Sequence, residues 1–101
     1  MTIEIKRTAD ETVIEVIGRL DTTTAPSLEK TINENVENTK KLVLDMDGLE
    51  YISSAGLRVL LSAQKKMNQI GSMKLISVCD EVMDVFEMTG FADILTIEKK
   101  A

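Results

Sequence analysis

A chain of 101 residues, 44% hydrophobic and 29% charged, has the composition of one ordered globular domain. Its net charge of −5, its scattered lysines and its three aromatics, Tyr51, Phe86 and Phe91, argue against binding to a nucleic acid backbone or stacking with bases. No apolar run approaches the ~20 residues of a membrane span, the N-terminus lacks a signal-peptide core, and a lone Cys79 fits a reducing compartment, so the expectation is a soluble cytoplasmic protein with no membrane partner.

Ile3 to Lys6 alternate apolar and polar, Thr12 to Ile17 are rich in β-branched residues, and Asp10-Glu11 lies between them as a turn. This pattern predicts a β-hairpin. Gly18-Arg19-Leu20-Asp21 leaves the second strand, and Thr22-Thr23-Thr24-Ala25-Pro26 has the form of a helix start, with a Thr cap and a proline whose missing N–H costs nothing in the first turn. Leu28, Ile32 and Val36 give that helix an apolar face, with its end near Asn38.

Within Lys41 to Met46, the unbroken run Leu42-Val43-Leu44 predicts a strand covered on both faces at the sheet centre. Asp45, Asp47 and Gly48 mark its exit, and Leu49 to Ile52 reads as a segment leading to Ser53-Ser54. A helix follows from near Ala55, with Leu57, Leu60, Leu61, Met67 and Ile70 inward, and stops at Gly71, whose freedom at positive φ suits a helix end. Met73 to Val78 is a strand. Asp80 caps a short helix through Met88, with Val82, Met83 and Phe86 on its buried side and Gly90 ending it. Ile94 to Ile97 is expected as a last edge strand, and Glu98 to Ala101 as a solvated tail. The order β-β-α-β-α-β-α-β predicts a single α/β domain over residues 1–101, a mixed sheet of about four to five strands flanked unevenly by helices.

The absence of histidine removes Ser-His-Asp and Cys-His catalysis and any histidine-bearing zinc site. The five glycines are dispersed near element boundaries and form no phosphate-binding loop. Asp45, Asp47 and Glu50 are oxygen ligands suited to magnesium or calcium, but Asp also favours turns for local hydrogen-bonding reasons, and a solvated strand end is the favoured reading. A receiver domain phosphorylated on aspartate needs further carboxylates after the first strand, where this chain has Lys6-Arg7.

The serine pair remains. Ser53 or Ser54 can serve as the N-cap of the following helix, and one oxygen suffices for that. Two are present, followed by small Ala55 and Gly56, which leave the helix start open. A phosphate there would add about 1.5 to 2 negative charges near backbone N–H groups and the positive end of the helix dipole, with little disturbance of the fold.

Three segments carry a resemblance over nearly the whole chain: Val16-Ile17-Gly18-Arg19-Leu20-Asp21 with Thr24-Ala25-Pro26, Leu42-Val43-Leu44-Asp45 with Leu49 through Leu57, and Val85-Phe86-Glu87-Met88-Thr89-Gly90-Phe91. In this order and spacing they resemble the STAS domains of anti-sigma factor antagonists. The resemblance implies a non-enzymatic switch without cofactor or metal. In that family a serine at the helix start after the central strand is phosphorylated by a serine-kinase anti-sigma factor. The dephosphorylated form binds the kinase and releases the sigma factor, and a PP2C-type phosphatase restores it. Carried onto this chain, the acceptor falls on Ser54, with Ser53 as second choice. The partner surface takes in Asp21, Thr22, Ser53, Ser54, Ala55, Gly56 and Arg58. Asp21 matches a loop acid near the phosphosite and is equally well read as a turn residue. Ser53 stands where many members have Asp, Ala55 where Ser or Thr is common, and Arg58 where Gly is common. The alternative use is a STAS module held as a fixed subunit of a lipid-transport or signalling assembly, with no phosphate cycle.

Overall fold

The computed structural model describes residues 1–37 and 39–99. The expected helix end at Asn38 and the last two residues of the expected tail lie outside them. The predicted hairpin is present as β1 (Thr2–Arg7) and β2 (Glu11–Leu20), paired antiparallel from Thr2↔Ile17 to Arg7↔Thr12. Along β2, Thr12, Ile14 and Val16 are buried while Val13, Glu15 and Ile17 are half-buried, the period-two signature of a strand with one packed face.

Helix α1 (Ala25–Asn35) has Pro26 in its first turn and buries Ala25, Leu28 and Ile32. Strand β3 (Lys41–Asp45) runs parallel between β2 and β5 (Ser72–Val78), at the sheet centre as its apolar run predicts. Leu42 and Leu44 join the main core; Val43 is buried but lies outside that cluster, on the strand's other face. The sheet order is β1-β2-β3-β5-β6, where β6 is Ile97–Lys99, mixed as expected, with β4 (Leu49–Ile52) off this path and paired to β2.

That short β4 is the main element missing from the sequence reading, where Leu49 to Ile52 is only a lead-in. It exists because β2 is ten residues long. The first half of β2 pairs with β3, and from Gly18 onward it takes β4 in parallel, with an irregularity between Gly18 and Arg19. Gly18 sits at φ +103°, in the left-handed region that glycine tolerates, and its N–H donates to the Gly48 carbonyl at 2.8 Å.

Helix α2 (Ser54–Ile70) buries Leu57, Leu60 and Met67 as expected, together with Val59, Ala63 and Gln64. Leu61 is only half-buried, and Ile70, predicted inward, is 50% exposed as the last residue of the helix. Gly71 is required for a reason other than the positive φ expected of it: at φ 175° its backbone is extended, but a Cβ there would lie 2.0 Å from the Lys40 carbonyl oxygen. Close approach of backbone selects the glycine.

Helix α3 (Asp80–Thr89) begins one residue earlier than expected, with Cys79 at the N-cap and Asp80 inside the first turn, where its charge still suits the helix dipole. It buries Val82 and Phe86 and ends at Gly90, which adopts φ +82°. A 3₁₀ turn, Phe91–Asp93, then displaces the last strand: β6 is Ile97–Lys99, and Ile94 is exposed. Glu98, expected in the tail, belongs to that strand and pairs with Lys74 at 3.2 Å.

Candidate partner-binding site

The site is built where β2 and β4 end side by side. Their parallel register aligns Arg19 with Tyr51 and Leu20 with Ile52. Leu20 and Ile52 turn into the core, and the residues that follow them, Asp21 and Ser53, are carried to the same edge of the molecule. The Ser53 N–H donates to the Leu20 carbonyl at 2.9 Å, tying the two loops together.

In the first loop Asp21 is the organising residue. One carboxylate oxygen accepts hydrogen bonds from the backbone N–H groups of Thr23 (3.0 Å) and Thr24 (3.1 Å) and from the Thr23 hydroxyl (2.8 Å). These bonds, led by the Thr23 hydroxyl, hold the Asp21 carboxyl below its ordinary range, because they favour the charged form. Thr24 occupies the N-cap of α1, yet its hydroxyl makes no cap bond: it donates to the Arg19 carbonyl and accepts from the Asp21 N–H, each at 2.8 Å. The Asp21 carboxylate thus closes the turn before α1, and the expected threonine cap bond is not made. Thr22 is exposed at the tip.

In the second loop the two serines have different positions. Ser53 is the N-cap of α2, with extended backbone (φ −101°, ψ 175°), and its carbonyl accepts from the Leu57 N–H at 3.0 Å. Its Oγ is buried and makes no hydrogen bond among the described residues. Ser54 is the first helical residue and is exposed. Ala55 is half-buried against the core. Gly56 is buried: a Cβ there would meet Leu20 Cγ at 2.7 Å and Ile52 Cγ1 at 2.9 Å. Its smallness therefore lets α2 sit on the strand ends, rather than opening the surface as the sequence reading supposed. Arg58, one turn beyond Ser54, is exposed.

Two exposed side chains beside these loops were not among the expected site residues. The Arg19 guanidinium lies 4.2 Å from the centroid of the Tyr51 ring, and its Nε is 4.0 Å from the second Asp21 carboxylate oxygen. Their juxtaposition follows from the β2–β4 register, which was invisible while Leu49 to Ile52 read as a connection.

The acidic strand exit holds itself together: an Asp45 carboxylate oxygen accepts the Asp47 N–H at 3.0 Å. Among the described residues no group of three or more Cys, Asp or Glu is arranged to hold a metal ion. No helix among them is long and apolar enough to cross a membrane.

The mixed sheet, with a short parallel strand that brings an exposed serine to a helix start, defines a small α/β domain. The family model described as the STAS domain matches residues 2–101, and the chain belongs to that family. It is 34% identical over 101 residues to the anti-sigma-B factor antagonist of Listeria monocytogenes, covering 97% of this chain and 89% of that protein. Among solved structures, an anti-sigma factor antagonist from Mycobacterium paratuberculosis superposes with a TM-score of 0.87 at 23% identity, covering 96% of this chain and 84% of that one. The Bacillus cell fate determinant SpoIIAA in its phosphorylated form superposes with a TM-score of 0.75 at 16% identity, covering 95% and 90%.

Proposed function

We propose that this chain is a non-enzymatic anti-sigma factor antagonist whose binding to a serine-kinase anti-sigma factor is switched by phosphorylation of Ser54. The observation that carries this reading is the division of labour between the serines: Ser53 occupies the cap position with its Oγ inside, while Ser54 stands exposed at the head of a 17-residue helix. A phosphate on Ser54 faces solvent, so it alters the docking surface and not the core. The names of the relatives and the phosphorylated state of SpoIIAA support the same reading.

In the unmodified form, Asp21, Thr22, Ser54 and Arg58 meet the kinase, and the sigma factor it held is released. Gly56 sets the height of α2 on the strand ends. The added phosphate, with about 1.5 to 2 negative charges near pH 7, then opposes docking by bulk and charge, and a PP2C-type phosphatase resets the surface. Incubation with ATP and a recombinant serine-kinase anti-sigma factor of the source organism tests the proposal. Peptide mass spectrometry is expected to find phosphate on Ser54. Phosphate confined to residues other than Ser53 and Ser54, or none at all, overturns it.

A further inference from the structure

The edge that carries Ser54 also carries a cation held in place by its neighbours. Leu20 and Ile52 turn into the core, so the preceding register pair, Arg19 and Tyr51, faces outward. Tyr51 is 41% exposed, and the Arg19 side chain is 60% exposed. The guanidinium is positioned over the ring and beside Asp21, yet its two terminal nitrogens make no hydrogen bond among the described residues. Asp21 does not satisfy them: its Oδ1 is engaged by Thr23 and Thr24, and its Oδ2 faces Arg19 only through Nε at 4.0 Å, beyond hydrogen-bond reach.

A long arginine side chain normally loses rotamer freedom when it docks. Stacking on Tyr51 removes part of that loss in advance, leaving a planar fork whose geometry matches a carboxylate in bidentate fashion. Arg and Tyr are also the side chains that most often dominate binding energy at protein interfaces. In a chain of net charge −5, the exposed Arg19 fork is a local positive point to which an acidic side chain of a partner is attracted.

We infer that Arg19, held by Tyr51, is a docking residue that receives a carboxylate of the partner protein. The inference rests on the reading of this edge as the kinase-binding surface and adds two residues to it. The test is calorimetric titration of recombinant serine-kinase anti-sigma factors from the source organism with the full chain and its variants. Arg19→Ala is expected to raise Kd about tenfold or more, and Arg19→Lys to recover only part of the loss, because an ammonium lacks the fork. Tyr51→Phe keeps the ring and stays near wild type, whereas Tyr51→Ser weakens binding. The salt dependence of Kd flattens in Arg19→Ala, and the thermal midpoints of the exposed-residue variants stay together.

Unchanged affinity of Arg19→Ala overturns the inference and leaves the proposed function standing. Failure of the wild-type chain to bind any of these kinases overturns the proposed function and the inference with it. A loss seen only with the nucleotide-loaded kinase also overturns it, because the anion met by Arg19 is then a nucleotide phosphate and not a carboxylate.

Discussion

The Ser53 N–H donates to the carbonyl of Leu20 at 2.9 Å, and this bond joins the two loops that make the candidate surface. Leu20 belongs to the strand that leads to Asp21, and Ser53 to the segment that leads to Ser54. The Asp21 loop and the Ser53-Ser54 helix start are thus extensions of one parallel strand pair. Their relative position is set by the core beneath them, so a change in that core moves the whole surface.

Gly56→Ala is the sharpest probe of that coupling. The new methyl group has no space between Leu20 Cγ and Ile52 Cγ1, both in the core, so α2 must lift or the strand ends must yield. Overpacking of this kind costs about 1–3 kcal/mol. For a domain of this size each kcal/mol lowers the thermal midpoint by about 4–8 °C. Calorimetric or circular-dichroism melting checks this, and an unchanged midpoint would mean that Leu20 and Ile52 repack freely.

Asp21→Asn removes the charge from the organising residue of the first loop while nearly keeping its shape. The native carboxylate is favoured by the N–H and hydroxyl donors of Thr23 and Thr24, which depress its pKa. A depressed carboxyl contributes stability that is present above the unfolded Asp pKa of about 3.9 and is lost as pH falls through the lower folded value. The variant should therefore melt below wild type near pH 7, with the gap closing as the solution is acidified below about pH 3. Melting curves across that range decide it; a gap independent of pH would assign the effect to shape and not to charge.

Glu15→Gln should have the opposite pH signature. Glu15 lies across from Glu4 on β1 and Asp45 on β3, and its carboxyl is raised above its ordinary range. The leading cause is a hydrogen bond with the Glu4 side chain, followed by burial and the charges of Glu4 and Asp45, with Lys6 opposing them. With its pKa raised, Glu15 binds a proton more readily in the native state than in the unfolded chain. Stability is thus relatively favoured at low pH and falls as pH rises from the unfolded Glu value of about 4.3 through the higher folded one. Glutamine supplies a permanent neutral donor, so the variant should melt above wild type near pH 7 and converge on it below about pH 4. A variant less stable than wild type at neutral pH would show that the charged form is the favoured one.

The hairpin, the central strand and the three helices were legible because each has its own period: alternation in Thr12 to Ile17, an unbroken apolar run in Leu42 to Leu44, and spacing by three or four in the helices. β4 was not, because four residues carry no period of their own and their partner is the far half of β2 beyond the Gly18 irregularity. The last strand was misplaced for a similar reason. Ile94 continues the apolar pattern, but the N–H groups of Ile94 and Leu95 close back onto the Phe91 carbonyl, and the register with β5 begins at Ile97. Gly71 was recognised as a stop, yet its cause, the nearby Lys40 carbonyl, is a contact between residues distant in sequence. The same limit applies to the site. Asp21 and the serines announce themselves by residue type, whereas the Arg19–Tyr51 stack depends on a strand register that no local pattern discloses.

Substituting each serine by alanine separates their roles. A capping hydroxyl is worth about 1 kcal/mol, and that is the loss expected if Ser53 Oγ held a free N–H of α2. It makes no such bond and is buried without a partner among the described residues. Removing an unsatisfied buried oxygen is nearly neutral or stabilising, so Ser53→Ala should change stability by less than about 0.5 kcal/mol in the unfavourable direction. Ser54→Ala and Ser54→Asp should also stay within about 0.5 kcal/mol of wild type, since the residue is exposed. The distinction then appears in binding: Ser54→Asp is expected to weaken kinase binding by about tenfold or more through its charge at the interface, while Ser53→Ala leaves it nearly intact. Denaturant unfolding paired with calorimetric titration reads both quantities on the same preparations. A loss near 1 kcal/mol for Ser53→Ala would restore the capping role, and equal kinase affinity for Ser54→Asp and wild type would remove Ser54 from the docking surface.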